Sequence, residues 1–173
     1  PRRPRSGWKL TRITVERTKT GKYYGYLLFA CPIHTPEPVK PTADTTIGLK
    51  YSLTHFYVRD DGITADPPRW LRQSQDKVSS IQEKLNRMQP GSRNYREMVQ
   101  KYRLLHEHIA NQRRDFLHKE SRRIANAWDA VCIRDDSLKA ISEELGGSDI
   151  HDTGFGMFRE MLRYKLDRQG KQL

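Results

Sequence analysis

Cysteine is scarce in this chain, acidic residues are outnumbered, and long apolar runs are missing. The two cysteines, Cys31 and Cys132, cannot form a zinc-binding quartet. Both sit in apolar, strand-like runs, where buried reduced thiols are expected rather than a disulfide or a metal pair. No apolar stretch approaches the roughly 18 to 20 residues that cross a bilayer, and nothing has the charged, apolar and small-residue order of a signal peptide. A soluble, cytoplasmic protein with no membrane partner is the expectation. Asp and Glu together number 21 against 32 Lys and Arg, a formal charge of +11, and only 35% of the 173 residues are hydrophobic. Such a surface favours a polyanionic partner, and nucleic acid is the commonest. The length suits one compact domain with an attached fragment of a second. The start at Pro1 reads as that of a fragment or the ordered part of something longer.

Support for nucleophilic catalysis is also lacking. No serine or cysteine has a base partner in sequence, and His34, His55, His118 and His151 are isolated. His106 and His108 flank Glu107, but residues two apart on a helix point to different sides, so a solvated polar face is expected there.

The apolar pattern divides the chain near residue 43. Residues 1–7 are rich in Arg and Pro and read as an arm. Lys9 to Ala30 alternates about a Thr20-Gly21 turn and predicts a hairpin. Pro32, Pro36, Pro38 and Pro41 predict an extended linker. Thr45 to Val58, with Arg59 to Gly62 as its turn, predicts a second hairpin ending before Pro67-Pro68. The period then changes. Leu71, Val78, Ile81, Leu85 and Met88 predict a helix stopped by Pro90-Gly91-Ser92. Asn94 and Glu97 form a candidate capping box for a second helix, whose Tyr95, Met98, Tyr102, Leu105, Ile109 and Phe116 repeat the spacing to Ala127 or Trp128. An antiparallel helical hairpin over about 69–127 follows, with Leu85, Tyr102, Leu105 and Ile109 as core seam. Ala130 to Ile133 is a short buried strand, Gly146-Gly147-Ser148 a loop, and Phe155 to Arg168 a last helix. The simplest packing is α/β, a mixed sheet with helices against it.

Five motifs in order point further. They are Gly48-Leu49-Lys50-Tyr51-Ser52 running on to Asp61-Gly62; Gly91-Ser92-Arg93-Asn94; Asn111-Gln112-Arg113-Arg114-Asp115-Phe116-Leu117-His118-Lys119; Ile133-Arg134-Asp135-Asp136; and Gly154-Phe155-Gly156-Met157-Phe158 with Leu162-Arg163-Tyr164-Lys165. Together they resemble the RuvC-like half of TnpB, the RNA-guided nuclease of bacterial transposons related to type V CRISPR effectors. The resemblance implies an RNase H-like (RuvC-like) mixed sheet carrying the helical hairpin, over residues 44–173. It also implies that residues 1–43 are a β-hairpin and linker from a wedge-type, oligonucleotide-binding barrel. The family's third acidic motif and its zinc ribbon would lie beyond Leu173.

Within that resemblance, Lys50 and Arg134 occupy the positions of two metal-binding carboxylates. Two-metal hydrolysis needs carboxylates holding divalent ions roughly 3.5 to 4 Å apart. A side-chain cation about 4 Å from Mg²⁺ would repel it by about 8 kcal/mol at an effective dielectric near ~20. The expectation is therefore a protein that is not an enzyme, with no metal and no cofactor. Asp135 faces away from the Arg134 side, Asp136 is a weak replacement for the missing Glu, and Asp60 and Asp61 are read as turn residues. The implied function is that of a nuclease-dead, TldR-type repressor which binds a guide RNA and a matching double-stranded DNA target without cutting it. The alternatives are an active or residual metal-dependent endonuclease and a simple RNA-binding remnant. Candidate nucleic-acid contacts are Arg2, Arg3, Arg5, Trp8 and Lys9 in the arm and Arg113, Arg114, Lys119, Arg122 and Arg123 on the long helix. Tyr23, Tyr24 and Tyr26 are weaker candidates, because alternation is expected to bury at least one.

Overall fold

The computed structural model describes residues 7–32, 36–52, 55–66, 73–134 and 154–173. Strands β1 (Lys9–Arg17) and β2 (Tyr23–Ala30) form the first expected hairpin, antiparallel from Arg17↔Tyr23 to Lys9↔Ala30. Its turn is closed by Thr18, whose N–H donates to the Lys22 carbonyl at 2.8 Å. The hairpin is a two-stranded sheet of its own. Tyr23, Tyr24 and Tyr26 are 68%, 45% and 53% exposed. The expectation that one would be buried fails because the long helix that follows bonds the hairpin at its turn and leaves an open groove beside Tyr24 and Tyr26.

The second sheet holds the core. Strand β3 (Thr46–Tyr51) lies between β4 (Tyr57–Arg59), antiparallel to it, and β6 (Ala130–Ile133), parallel to it, with β5 (Thr64–Ala65) outside β4. The Arg59 to Gly62 turn forms where expected, joining β4 to β5. The long strand before it does not form. It breaks after Tyr51, and Tyr51 pairs back with Tyr57. An unbroken strand from 45 to 58 would reach roughly 45 Å, whereas the fold-back lets Tyr51, Phe56 and Tyr57 all bury in one cluster.

The parallel β3–β6 pair requires a crossover, and two antiparallel helices supply it. These are α1 (Gln75–Arg87) and α2 (Arg93–Ala127). The N-terminal half of α2 meets α1 through Val78 and Ile109, with Tyr102, Leu105 and Phe116 packed around them. Its C-terminal half carries Leu117, Ile124 and Ala125 into the main core. The cap of α2 differs from expectation. The Ser92 hydroxyl accepts the Tyr95 N–H at 3.1 Å, and Asn94 lies inside the helix. The Pro90-Gly91 turn leaves Ser92 as the last extended residue, and Glu97 pairs with Arg93 instead of closing a box.

Helix α3 (Phe155–Asp167) covers the same face of the sheet, burying Phe155, Phe158, Leu162 and Leu166. Phe56 is edge-on to Phe116, Phe155 and Phe158 at 5.1 to 5.6 Å between ring centres. Full burial of each such ring contributes about 1.5–3 kcal/mol. After α3 the chain turns at Gly170 and runs beside β6, where Val131 N–H donates to the Gln172 carbonyl at 3.0 Å. The Pro-rich linker docks on this turn, Val39 N–H donating to the Gly170 carbonyl at 2.8 Å. The whole is a mixed α/β structure with a mixed sheet and, among the described residues, three α-helices.

Candidate nucleic-acid interface and the open face of the sheet

Alternation along β3 sends Ile47, Leu49 and Tyr51 into the core and leaves Gly48 and Lys50 on the opposite face. On β6, Val131 is buried while Cys132 and Arg134 are exposed. Gly48 pairs with Cys132 and Leu49 with Ile133, and Arg134 N–H reaches the Leu49 carbonyl at 3.4 Å. Lys50 and Arg134 are thus brought together, leaving neighbouring parallel strands at the same end and on the same open face. Cys132 shares that face, so the expected buried thiol is exposed there, while Cys31 is half-buried. Among the described residues, the helices that share the core with β6 pack on its Val131 side.

A carboxylate stands on this face as well. Asp60 Oδ2 accepts the Gly48 N–H at 2.8 Å, and the Asp60 N–H donates to the Gly48 carbonyl at 3.1 Å. A methyl group at Gly48 would lie 3.2 Å from the same oxygen. Asp60 and Asp61 both lie in the Arg59 to Gly62 turn, as expected; Asp61 accepts from the Arg59 guanidinium and from Ile63 N–H at 3.1 Å, while the Asp60 carboxylate reaches back to Gly48 as well. This face carries, among the described residues, two cations and one carboxylate. Among the described residues no group of three His, Cys, Asp or Glu side chains is placed to hold a metal. Asp135 and Asp136 lie outside the described residues.

The basic run on α2 does not form one patch. At about 100° per residue, positions 113, 114, 119, 122 and 123 are spread around the helix. Arg113 is half-buried, its side chain packed against Gly154 at the start of α3. Arg123 donates to Glu120 at 2.5 Å and to the Tyr57 hydroxyl at 2.7 Å. Burial works against the Glu120 charge, yet the hydrogen bonds from Arg123 and Tyr57 outweigh it and hold the carboxyl below its ordinary range. Burial and the Glu120 carboxylate push the Tyr57 phenol up. Lys119 pairs with Asp115 at 2.6 Å, and Arg114 and Arg122 are exposed. In the arm, Trp8 is 42% exposed and rests 6.0 Å from the Phe29 ring, with Lys9 exposed beside it. Arg2, Arg3 and Arg5 lie outside the described residues.

Sequence reasoning missed the seam between the β1–β2 hairpin and α2. Lys22 Nζ bonds Glu107 at 2.8 Å, Gln100 donates to the Thr20 carbonyl at 2.6 Å, and Arg103 to the Lys19 carbonyl at 3.3 Å. The Lys22 ammonium and the nearby Thr20 hydroxyl hold the Glu107 carboxyl below its usual range. The expected solvated face at His106 and Glu107 is therefore a contact surface, because the hairpin tip folds onto it. His106 packs 4.4 Å from the Tyr102 ring centre. The clue available in sequence was Tyr102 to His106 at helical spacing i, i+4.

A family model described as "OrfB_IS605: Probable transposase" matches residues 29–141. The chain belongs to this family. It is 28% identical over 169 residues to a "Putative RNA-guided DNA endonuclease" of Streptomyces pristinaespiralis, covering 96% of this chain and 41% of that protein. It is 26% identical over 197 residues to "Putative RNA-guided DNA endonuclease InsQ" of Escherichia coli (strain K12), covering 98% and 48%. The chain spans less than half the length of these curated relatives. Their names overturn the expectation that this protein is not an enzyme, since the family is an enzymatic one. That expectation rests on two positions alone, and Asp135 and Asp136, which follow Arg134, lie outside the described residues. Among the described residues no helix is long and apolar enough to cross a membrane.

Proposed function

We propose that this chain is the RuvC-like part of an RNA-guided DNA-binding protein of the transposon-nuclease type, taking a guide RNA and a matching DNA target. In this reading residues 44–173 form an RNase H-like unit with a helical hairpin at about 69–127, and residues 1–43 are the end of a barrel domain and its linker. The observation that carries it is the pairing of β3 with β6, which sets positions 50 and 134 side by side on an open sheet face, in a chain of the OrfB_IS605 family. A mixed sheet with helices against one face is compatible with this fold. The formal charge of +11 supports a nucleic-acid partner.

Lys50 and Arg134 then meet backbone phosphates at the open face. Arg114, Arg122, Lys119 and the Trp8–Lys9 arm, with Arg2, Arg3 and Arg5, add further contacts, and Arg113 and Arg123 are tied to the fold first. Phosphate contacts position the strand while base pairing with the guide selects the sequence. Occupancy of a guide-matched promoter would block transcription, which is the regulatory form of the same proposal.

Sequencing the RNA that copurifies with the protein supplies the guide, and gel-shift titration with duplexes matched or mismatched to it tests target choice. Tight binding to the matched duplex alone is expected. Equal affinity for both would sink the guided reading. A promoter carrying the matched site should also lose reporter output relative to the mismatched one, and equal output from the two would remove the regulatory form.

A further inference from the structure

Between β2 and α2 runs an open groove of about 1190 Å³. That is slightly above the roughly 300–1,000 Å³ of small-ligand sites, so a segment of chain rather than a single small molecule fits. Its two walls are aromatic. Tyr24 and Tyr26, two apart on β2, present their rings on one face of the strand, and Tyr102 and His106 line the helix side. Tyr26 is fixed in place, its hydroxyl donating to Glu16 at 3.0 Å. Cations surround the rings: Lys19, Arg103 and Arg114 line the same groove. Of its two acids, Glu107 is already paired with Lys22.

From these observations we propose that the groove holds an unpaired segment of RNA, with bases resting on Tyr24 and Tyr26 and phosphates met by Lys19, Arg103 and Arg114. Exposed tyrosines beside cations form a stacking platform that accepts any base. Glu16 and Asn111, also in the groove, offer acceptors to a ribose 2′-hydroxyl, the group that separates RNA from DNA. The inference rests on the proposed function, since it presumes that RNA is bound. It adds where an unpaired stretch is held and by which side chains.

The test uses the intact protein and a fluorescein-labelled single-stranded oligouridine, read by fluorescence polarisation. Tyr24→Ala and Tyr26→Ala should each weaken binding by about five- to tenfold, and Tyr24→Phe should keep it. Tyr23→Ala removes an exposed ring from the opposite face of the strand and should leave affinity unchanged. Photocrosslinking with 4-thiouridine in the oligomer should mark peptides containing Tyr24, Tyr26 or Tyr102. If Tyr23→Ala weakens binding as much as Tyr24→Ala, or the crosslinks fall only elsewhere, the groove assignment is overturned. Equal affinity for oligothymidine DNA would overturn the choice of RNA. Oligouridine bound normally by the Tyr24 and Tyr26 variants removes this inference alone, whereas a protein that retains no RNA at all removes the proposed function with it.

Discussion

At Gly170 the backbone φ is 69°, and an added methyl group would come within 2.2 Å of the Glu37 carbonyl oxygen. The left-handed conformation disfavours any Cβ, and here the obstacle is backbone from the docked linker, which has no side chain to swing away. Gly170→Ala is expected to cost about 2–4 kcal/mol, seen as a lower denaturation midpoint at unchanged m-value. Loss of less than half a kilocalorie, roughly the scatter of neutral surface changes, would mean that the linker does not dock there. Glu120 makes a second residue-scale case. Its folded pKa is lowered, so its stabilising contribution is present above its ordinary value of about 4.5 and lost as pH falls through the lower folded value. Thermal melts of wild type should therefore drop steeply below that pH, and Glu120→Gln should flatten this slope. Identical slopes would show that the Tyr57–Glu120–Arg123 cluster does not govern acid stability. The Glu120–Arg123 pair is at local helical spacing, but the Tyr57 member was not legible in sequence, because residues 57 and 120 are brought together by the packing of β4 on α2.

Among the elements, helices were easier to read than strands. The apolar spacing in α2 and α3 gave their extents, since periodicity over many residues averages out local exceptions. The cap was harder, as Ser92 and Asn94 are both good capping residues and only the path of the Pro90-Gly91 turn decides between them. Ser92→Ala should cost about 1 kcal/mol in denaturant titration, while Asn94→Ala should cost far less. The reverse order would move the cap to Asn94. Lys165 was also hidden. A lysine is expected outside, yet it is buried on α3, its ammonium donating to the His118 carbonyl at 2.8 Å and to Ser121 Oγ at 2.5 Å. Burial, with Arg122 nearby, pushes its pKa down. For the candidate site, the resemblance implied that positions 50 and 134 belong together, and the parallel β3–β6 register brings them to neighbouring strands. The return of Asp60 onto Gly48 depends on β4 being only three residues long, which no local pattern announces.

Across the whole molecule, two sheets of unequal support share one long helix. The main sheet is sealed by α2 and α3 through a continuous aromatic and aliphatic core. The β1–β2 hairpin keeps Leu10, Ile13, Val15, Leu27 and Leu28 44% to 70% exposed, and Lys22, Thr20 and Lys19 at its turn hydrogen-bond to α2. A lone two-stranded ribbon is marginal in water, and local opening follows from sparse burial. Amides of β1 and β2 should therefore exchange with deuterium by local opening well before those of β3 and β6, which should wait for global unfolding. Addition of the copurifying RNA should slow exchange in β2 and around Tyr102 while leaving β3 unchanged, because a strand held in the groove ties the ribbon to α2 along its length rather than at its tip alone. Hairpin amides as protected as those of β3 in the free protein would mean that the ribbon is held by more than these tip contacts. In that case the groove beside Tyr24 and Tyr26 would be closed before any RNA arrived.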